Sequence, residues 1–523
     1  MGDVARTGPA ARAVASLPRA VRNVLANWTG HVVGVAVGFF LSPLIVHHLG
    51  PSAYGVWTLV TALTAYLGLL DLGVRSAVTR YVARCEGEGN RETGTRVAAT
   101  ALTIFAVMAG VAVVAATLLG LTAPRVFHIP PEYETPTLMV AVLAGATIGV
   151  ALVSGALGGI LAGLQRFDLL CVVDVAGTLL RAALVLGVIG AGGGLVALAA
   201  AQLTASAAAG GLTAWLGRRV YPELRLRPAW SRAHARLIVA YGGYAFVAQL
   251  ASSVIDRAGV IVIGAFLPMT AVAVYGIAGG LIDYARALVG GIRVTLAPRA
   301  SVMEGRGQAD AVRALALQAV RYCTLLAMSI AAVLALRGAT FIGLWMGPDY
   351  GAASGPVVAI LAVRLLFLGA TGAAANVLLG TSHERAVAGV VVAEAVVAVV
   401  TMALLVPPLG VAGAAWGTAA PTAAAAILAW PWLLRRALGV RVGRYLASGW
   451  GLPVAALLPL AGATWLVERW WPAPSLPVFA VQLALVAPVA LAGVWGVGLS
   501  ATERSRLRQF AREHWPRGTP AAG

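Results

Sequence analysis

The chain has 523 residues, of which 60% are hydrophobic and 11% charged, with a mean hydropathy of +0.86; this composition excludes the water-soluble globular classes. The formal charge of +18 would suggest nucleic acid in a soluble protein, but here the positive residues gather at the ends of apolar runs, so the charge is topogenic and no nucleic-acid partner is expected. All 38 basic residues are arginine, and the absence of lysine excludes a phosphate-loop lysine, a Schiff-base lysine and a pyridoxal site.

Apolar runs long enough to span a bilayer recur along the whole chain. Arg6, Arg12, Arg19 and Arg22 precede the first run without a small-residue cleavage pattern, so residues 1–25 read as a basic N-terminus ahead of a retained anchor. Spans are predicted at 26–47, 54–79, 97–121, 136–163, 171–190 and 195–216. After a basic, Pro-containing loop at 217–236 they resume at 237–267, 273–297, 314–336, 355–380, 387–406 and 411–434. Two more, 446–466 and 477–499, fall within 435–499, ahead of a basic tail at 500–523. The prediction is an all-α integral membrane protein of about 14 helices.

The arginines check the count, since basic loops are retained on the cytoplasmic side. One side collects the N-terminus, Arg80–Arg96, Arg166, Arg218–Arg236, Arg299–Arg313, Arg385, Arg435–Arg444 and Arg504–Arg517; the other collects only Arg125, Arg337 and Arg469. Both termini are therefore expected on the cytoplasmic side. The outer loops are short, and the two largest, Ala123–Glu134 and Arg337–Gly351, leave no room for an external catalytic domain. Cys85, Cys171 and Cys323 stand apart, so neither a disulfide nor a metal site is signalled. No cofactor and no catalytic residue is expected.

An internal repeat divides the chain. Tyr54-Gly55 opens a helix that leads to Arg80 and the Glu86–Asn90 loop, and Tyr275-Gly276 opens one that leads to Arg299 and the Glu304–Gln308 loop. Gly194-Leu195-Val196-Ala197 and Gly410-Val411-Ala412-Gly413 repeat at nearly the same offset. Two pseudo-symmetric six-helix lobes follow, 26–216 and 237–434, with the last two helices as an addition.

Seven arginines fall inside spans: Arg75, Arg181, Arg257, Arg286, Arg293, Arg321 and Arg364. Each costs roughly 2.5–3.5 kcal/mol at mid-membrane and needs an acid, water or a ligand. Helical spacing places Thr61, Thr64, Gly68, Asp71 and Arg75 on one stripe of the second span, with Asp71 and Arg75 as an i,i+4 pair. The fifth span aligns Asp174, Thr178 and Arg181; the seventh aligns Gly242, Ala245, Gln249, Ser252 and Asp256, with Arg257 beside them; the eighth aligns Gly279, Asp283, Arg286, Gly290 and Arg293. Such faces are either interhelical ion pairs or the edge of a wet cavity. An arginine-edged cavity suits phosphate, which a guanidinium grips with two hydrogen bonds. Asp71, Asp256, Asp283 and Glu394 are candidates for a coupling cation or for charge balance.

The run Leu49-Gly50-Pro51-Ser52-Ala53-Tyr54-Gly55-Val56-Trp57, then Leu70-Asp71-Leu72-Gly73 and Arg80-Tyr81-Val82, resembles the start of the polysaccharide flippases of bacterial surface-glycan clusters. So do Tyr275-Gly276-Ile277-Ala278, Ala297-Pro298-Arg299, Leu344–Tyr350 and Gly410–Ala415, in that order, within Asn27–Arg436. The resemblance implies the two-lobed fold of the multidrug, oligosaccharidyl-lipid and polysaccharide exporter superfamily, worked by alternating access. The implied substrate, used for O-antigen or exopolysaccharide assembly, is undecaprenyl diphosphate carrying an oligosaccharide, moved from the inner to the outer leaflet of the bacterial cytoplasmic membrane. A glycan polymerase is the implied partner machinery. It also implies that the first, second, seventh and eighth helices line the cavity, which places Arg75, Arg257, Arg286 and Arg293 near the diphosphate. The peptidoglycan-precursor flippases of that superfamily carry an Arg-Asp pair in the first helix, which Trp28–Val46 lacks. A cation-coupled drug or lipid exporter is the alternative, and a polytopic glycan polymerase or ligase a further one.

Overall fold

The computed structural model describes residues 19–88, 90–220, 243–293 and 295–514. Among these there is no strand, and thirteen helical segments are long and apolar enough to cross a membrane. The first of the thirteen, Val32–Gly87, contains two predicted spans that meet at Gly50, so the described residues hold fourteen candidate crossings. Gly50 sits at φ 74°, where a side chain would be strained, and Pro51 follows it. The chain is a multi-pass membrane protein. Helices satisfy their backbone donors and acceptors internally, which is the condition for crossing hydrocarbon.

In chain order the helices are α1 (Arg19–Ala65), α2 (Val74–Gly87), α3 (Arg91–Val126), α4 (Glu134–Gly163), α5 (Phe167–Gly190) and α6 (Leu195–Val220). They continue as α7 (Gly243–Phe266), α8 (Met269–Arg293), α9 (Leu296–Gly305), α10 (Ala309–Met346), α11 (Pro348–Leu379) and α12 (Glu384–Leu409). The last are α13 (Val411–Ala424), α14 (Trp430–Leu438), α15 (Val442–Leu446), α16 (Leu452–Trp470), α17 (Leu476–Gly493) and α18 (Ala501–His514). Two compact units result, Met1–Ser253 with Val260–Ala273, and Val254–Gly259 with Val274–Gly523. The predicted loop 217–236 beyond Val220, and Gly242 of the seventh-span stripe, lie outside the described residues, as does the side chain of Ala245.

Each unit is built on a seam of small residues. In the first, a Cβ on Gly145 of α4 would stand 2.5 Å from the Cβ of Ala116 on α3, and one on Gly149 would stand 3.1 Å from that of Ala109. In the second, α11 lies equally close to α10: Cβ atoms on Gly355 and Gly351 would stand 2.5 Å from Ala339 and 2.7 Å from Gly343. Where lipid offers no hydrophobic drive, this close backbone approach supplies the dispersion contacts that hold helices together.

Three expectations change. The second span is not one helix: after Ala65 a 3-10 turn, Tyr66–Asp71, leads to Leu72 and Gly73, both left-handed, before α2 begins. The stripe from Thr61 to Arg75 is therefore interrupted, and Asp71 does not pair with the Arg75 guanidinium; its Oδ1 accepts the Arg75 backbone N–H at 3.1 Å instead. The eighth span is described as two helices, α8 ending at Arg293 and α9 beginning at Leu296, with Val294 between them outside the described residues. Finally, 337–351 is not an outer loop. α10 runs on to Met346, because Arg337, 1% exposed, is neutralised inside the unit. Its Nε donates to Glu468 of α16 at 2.6 Å, and its Nη2 donates to Gln482 of α17. This clasp and the apolar cluster of Leu325, Met328, Leu457, Leu460 and Val486 fasten α16 and α17 to α10.

Candidate functional site

The second unit concentrates charge at membrane depth. Asp256 of α7 accepts from two guanidiniums: Arg286 Nη2 reaches its Oδ2 at 2.6 Å, and Arg364 Nη2, from α11, reaches its Oδ1 at 2.7 Å. Arg286 also donates to Asp283 at 3.1 Å, but the Asp283 side chain is 70% exposed, so this second pair is weakly held. Arg293, about two turns further along α8, has no carboxylate partner among the described residues, and its Nε is buried without a hydrogen bond. Its guanidinium lies in the space that Gly372 of α11 leaves open, where a Cβ would collide with it. Arg257 is exposed and makes no ion pair among the described residues.

Four arginines, Arg257, Arg286, Arg293 and Arg364, thus stand among three carboxylates, Asp256, Asp283 and Glu394, which leaves an excess of one positive charge. Such an excess persists in hydrocarbon only on a wet face or against an anion. Glu394 of α12 makes no ion pair among the described residues but lies within electrostatic range of Arg364 and Asp256. A hydrogen bond from the Thr422 hydroxyl at 2.7 Å holds Glu394, just before the π-helical turn Ala425–Ala429 that runs into Pro431, whose missing N–H cannot continue the ladder.

In the first unit, Arg75 leaves the N-terminal turn of α2 and lays its guanidinium along α4, where a Cβ on Gly158 would meet its Nη2 at 3.6 Å. Asp174 of α5 faces Gly30 of α1 and lies within electrostatic range of Arg75. Asp174, Thr178 and Arg181 line a cleft of about 270 Å³ with Gln202 and Ser206 of α6.

A family model described as polysaccharide biosynthesis protein matches residues 20–303, more than half of the chain. The chain belongs to this family. Solved structures show which proteins this chain resembles in fold. The lipid II flippase MurJ, in an inward closed conformation, aligns with a TM-score of 0.69 at 9% identity, covering 94% of this chain and 99% of its own. An inward-facing multidrug resistance MATE transporter of the MOP superfamily aligns with a TM-score of 0.67 at 17% identity, covering 80% and 95%. A MOP superfamily transporter from Pyrococcus furiosus aligns with a TM-score of 0.59 at 14% identity, covering 84% and 99%. A comparison with curated protein sequences finds no match.

For this member of the polysaccharide biosynthesis family, sequence spacing places Asp283 beside Arg286, but not Arg364 or Thr422. Both are non-local partners, 108 and 28 residues from Asp256 and Glu394 respectively. Their only signal in the sequence is a polar residue on an otherwise apolar helix.

Proposed function

We propose that the protein is a flippase that carries an undecaprenyl-diphosphate-linked oligosaccharide from the inner to the outer leaflet of the bacterial cytoplasmic membrane by alternating access. The observation that carries this reading is the excess of positive charge around Arg286 and Arg293, where Arg293 has no carboxylate partner among the described residues and a buried Nε without a hydrogen bond. A diphosphate matches it in sign and in its pairs of oxygens, which guanidiniums grip two at a time. Family membership supports the reading, and so does the fold shared with a lipid II flippase. Arg293, Arg257 and Arg286 are the diphosphate contacts in this unit, with Asp256 and Arg364 fixing Arg286; Arg75 of the first unit is a separate candidate for a phosphate contact. Both termini are cytoplasmic, no cofactor takes part, and the protein is a transporter and not an enzyme. The flipped unit is handed to a glycan polymerase on the outer side.

The test is leaflet translocation in proteoliposomes, comparing a saccharide-bearing diphosphate lipid with the bare lipid phosphate. Translocation of the former, lost in Arg293→Ala protein of normal abundance, is the expected result; equal transport by Arg293→Ala removes the reading. Glu394, a carboxylate without an ion pair among the described residues, favours the second reading, a cation-coupled drug or lipid exporter. Ion-dependent dye efflux that disappears in Glu394→Gln, without any change in glycan, would establish that reading instead.

A further inference from the structure

The first unit contains a second polar site that this mechanism does not use. Beside the cleft of Asp174 and Arg181 lies another of about 170 Å³, lined by Trp57, Thr61 and Thr64 of α1, and the two share Thr147 of α4 and Gln202 of α6. Together they form one groove in the size range of small-ligand sites, roughly 300–1,000 Å³. We infer that this groove is a subsite for the saccharide, recognising a neutral sugar ring; the inference rests on the flippase reading and names the part of the substrate beyond the diphosphate.

Charge, shape and hydrogen-bonding capacity each point to a neutral polyol. Of the charged residues that line the groove, Asp174 and Arg181 contribute one of each sign and make no ion pair among the described residues, so the lining itself is balanced, with Arg75 outside it but within electrostatic range of Asp174. Trp57 rests on the apolar cluster of Leu41, Val185 and Leu198 and borders the groove, offering a flat apolar surface to the C–H face of a sugar. Thr64 and Thr147 donate their hydroxyl protons to the carbonyls of Val60 at 2.7 Å and Leu143 at 2.8 Å, which leaves their oxygens as acceptors for sugar O–H groups. The Gln202 amide makes no hydrogen bond among the described residues, yet it can donate and accept at once. An amide at this depth is costly unless water or a ligand satisfies it.

The experiment applies the detergent-purified protein to an array of neutral and acidic oligosaccharides and, separately, measures its thermal stabilisation by inorganic pyrophosphate. The expected result is binding to neutral glycans that falls about two- to tenfold in Trp57→Ala and in Gln202→Ala, as the loss of a ring contact or hydrogen bond would produce, with pyrophosphate stabilisation unchanged. Gln202→Glu, nearly identical in shape, guards against misfolding and should shift preference away from acidic glycans. If the wild type binds no glycan, binds only acidic ones, or keeps its binding in both variants while pyrophosphate still stabilises it, the subsite is refuted and the flippase reading stands. If neither glycan nor pyrophosphate binds, both fall.

Discussion

Gly372→Ala separates the seat of Arg293 from the stability of its helix. A Cβ at position 372 would meet the Arg293 Cδ and Cζ at 2.9 Å and overlap Nη1 outright, so the guanidinium must leave its seat. What moves is the far end of a flexible side chain, and α11 itself gains about 0.5–1 kcal/mol from replacing glycine within a helix. Abundance and melting temperature should therefore hold or rise. Transport should fall: a charge-assisted hydrogen bond to an anion contributes about 1.5–3 kcal/mol, which is roughly a ten- to hundredfold loss. Proteoliposome translocation rates of wild type, Gly372→Ala, Arg293→Ala and the double variant decide the matter. The double variant should transport no worse than Arg293→Ala alone, because both changes remove the same contact. Wild-type transport by Gly372→Ala would refute the idea that Arg293 acts from this position.

Asp256→Asn leaves Arg286 and Arg364 without their shared carboxylate and should cost about 3 kcal/mol, seen as a lower melting temperature in detergent; adding Arg364→Met should restore most of it, since Arg286 keeps Asp283. Glu468→Gln should loosen α16 and α17 from α10 and lower the melting temperature, and Arg337→Met in the same protein should recover it. Burial raises the Glu503 carboxyl, but hydrogen bonds from Tyr322 and Ser500 and the charge of Arg321 outweigh it and hold the group down at about 2, against an ordinary 4.5. A lowered value means that the docking of α18 is fully supported above pH 4.5 and is lost as pH falls towards 2. Amide exchange in Ala501–His514, corrected for intrinsic rates, should stay flat from about pH 7 to 5 and rise below, and Glu503→Gln should show the fast exchange already at neutral pH.

The helices were legible because hydrophobic length is a local property: the runs at 136–163 and 171–190 meet α4 and α5 almost residue for residue. What misled the reading was non-local. Arg337 looks like the start of a loop because its neutralising acid lies 131 residues away. Asp71 and Arg75 have helical spacing, yet the chain between them turns left-handed at Leu72 and Gly73, and a single glycine in an apolar run does not announce this. In the charged cluster, the local pair Asp283–Arg286 could be read from an i,i+3 spacing. The bridge through Asp256 to Arg364 could not, since it depends on which faces of α7, α8 and α11 meet.

The clasp at Arg337 also bears on how the protein is made. α10 carries two buried arginines, and both find their acids only in later segments: Arg337 in Glu468, and Arg321 in Glu503, 182 residues on. At synthesis rates of about 5–20 residues per second, Glu468 follows Arg337 by about 7–26 s and Glu503 follows Arg321 by about 9–36 s. During that interval its cations are covered by lipid headgroups, water or the insertion machinery, and the helix cannot reach its final depth. The closing segments of the chain therefore complete the charge balance of its middle, and a product that stops short of Glu503 lacks the carboxylate that Arg321 pairs with.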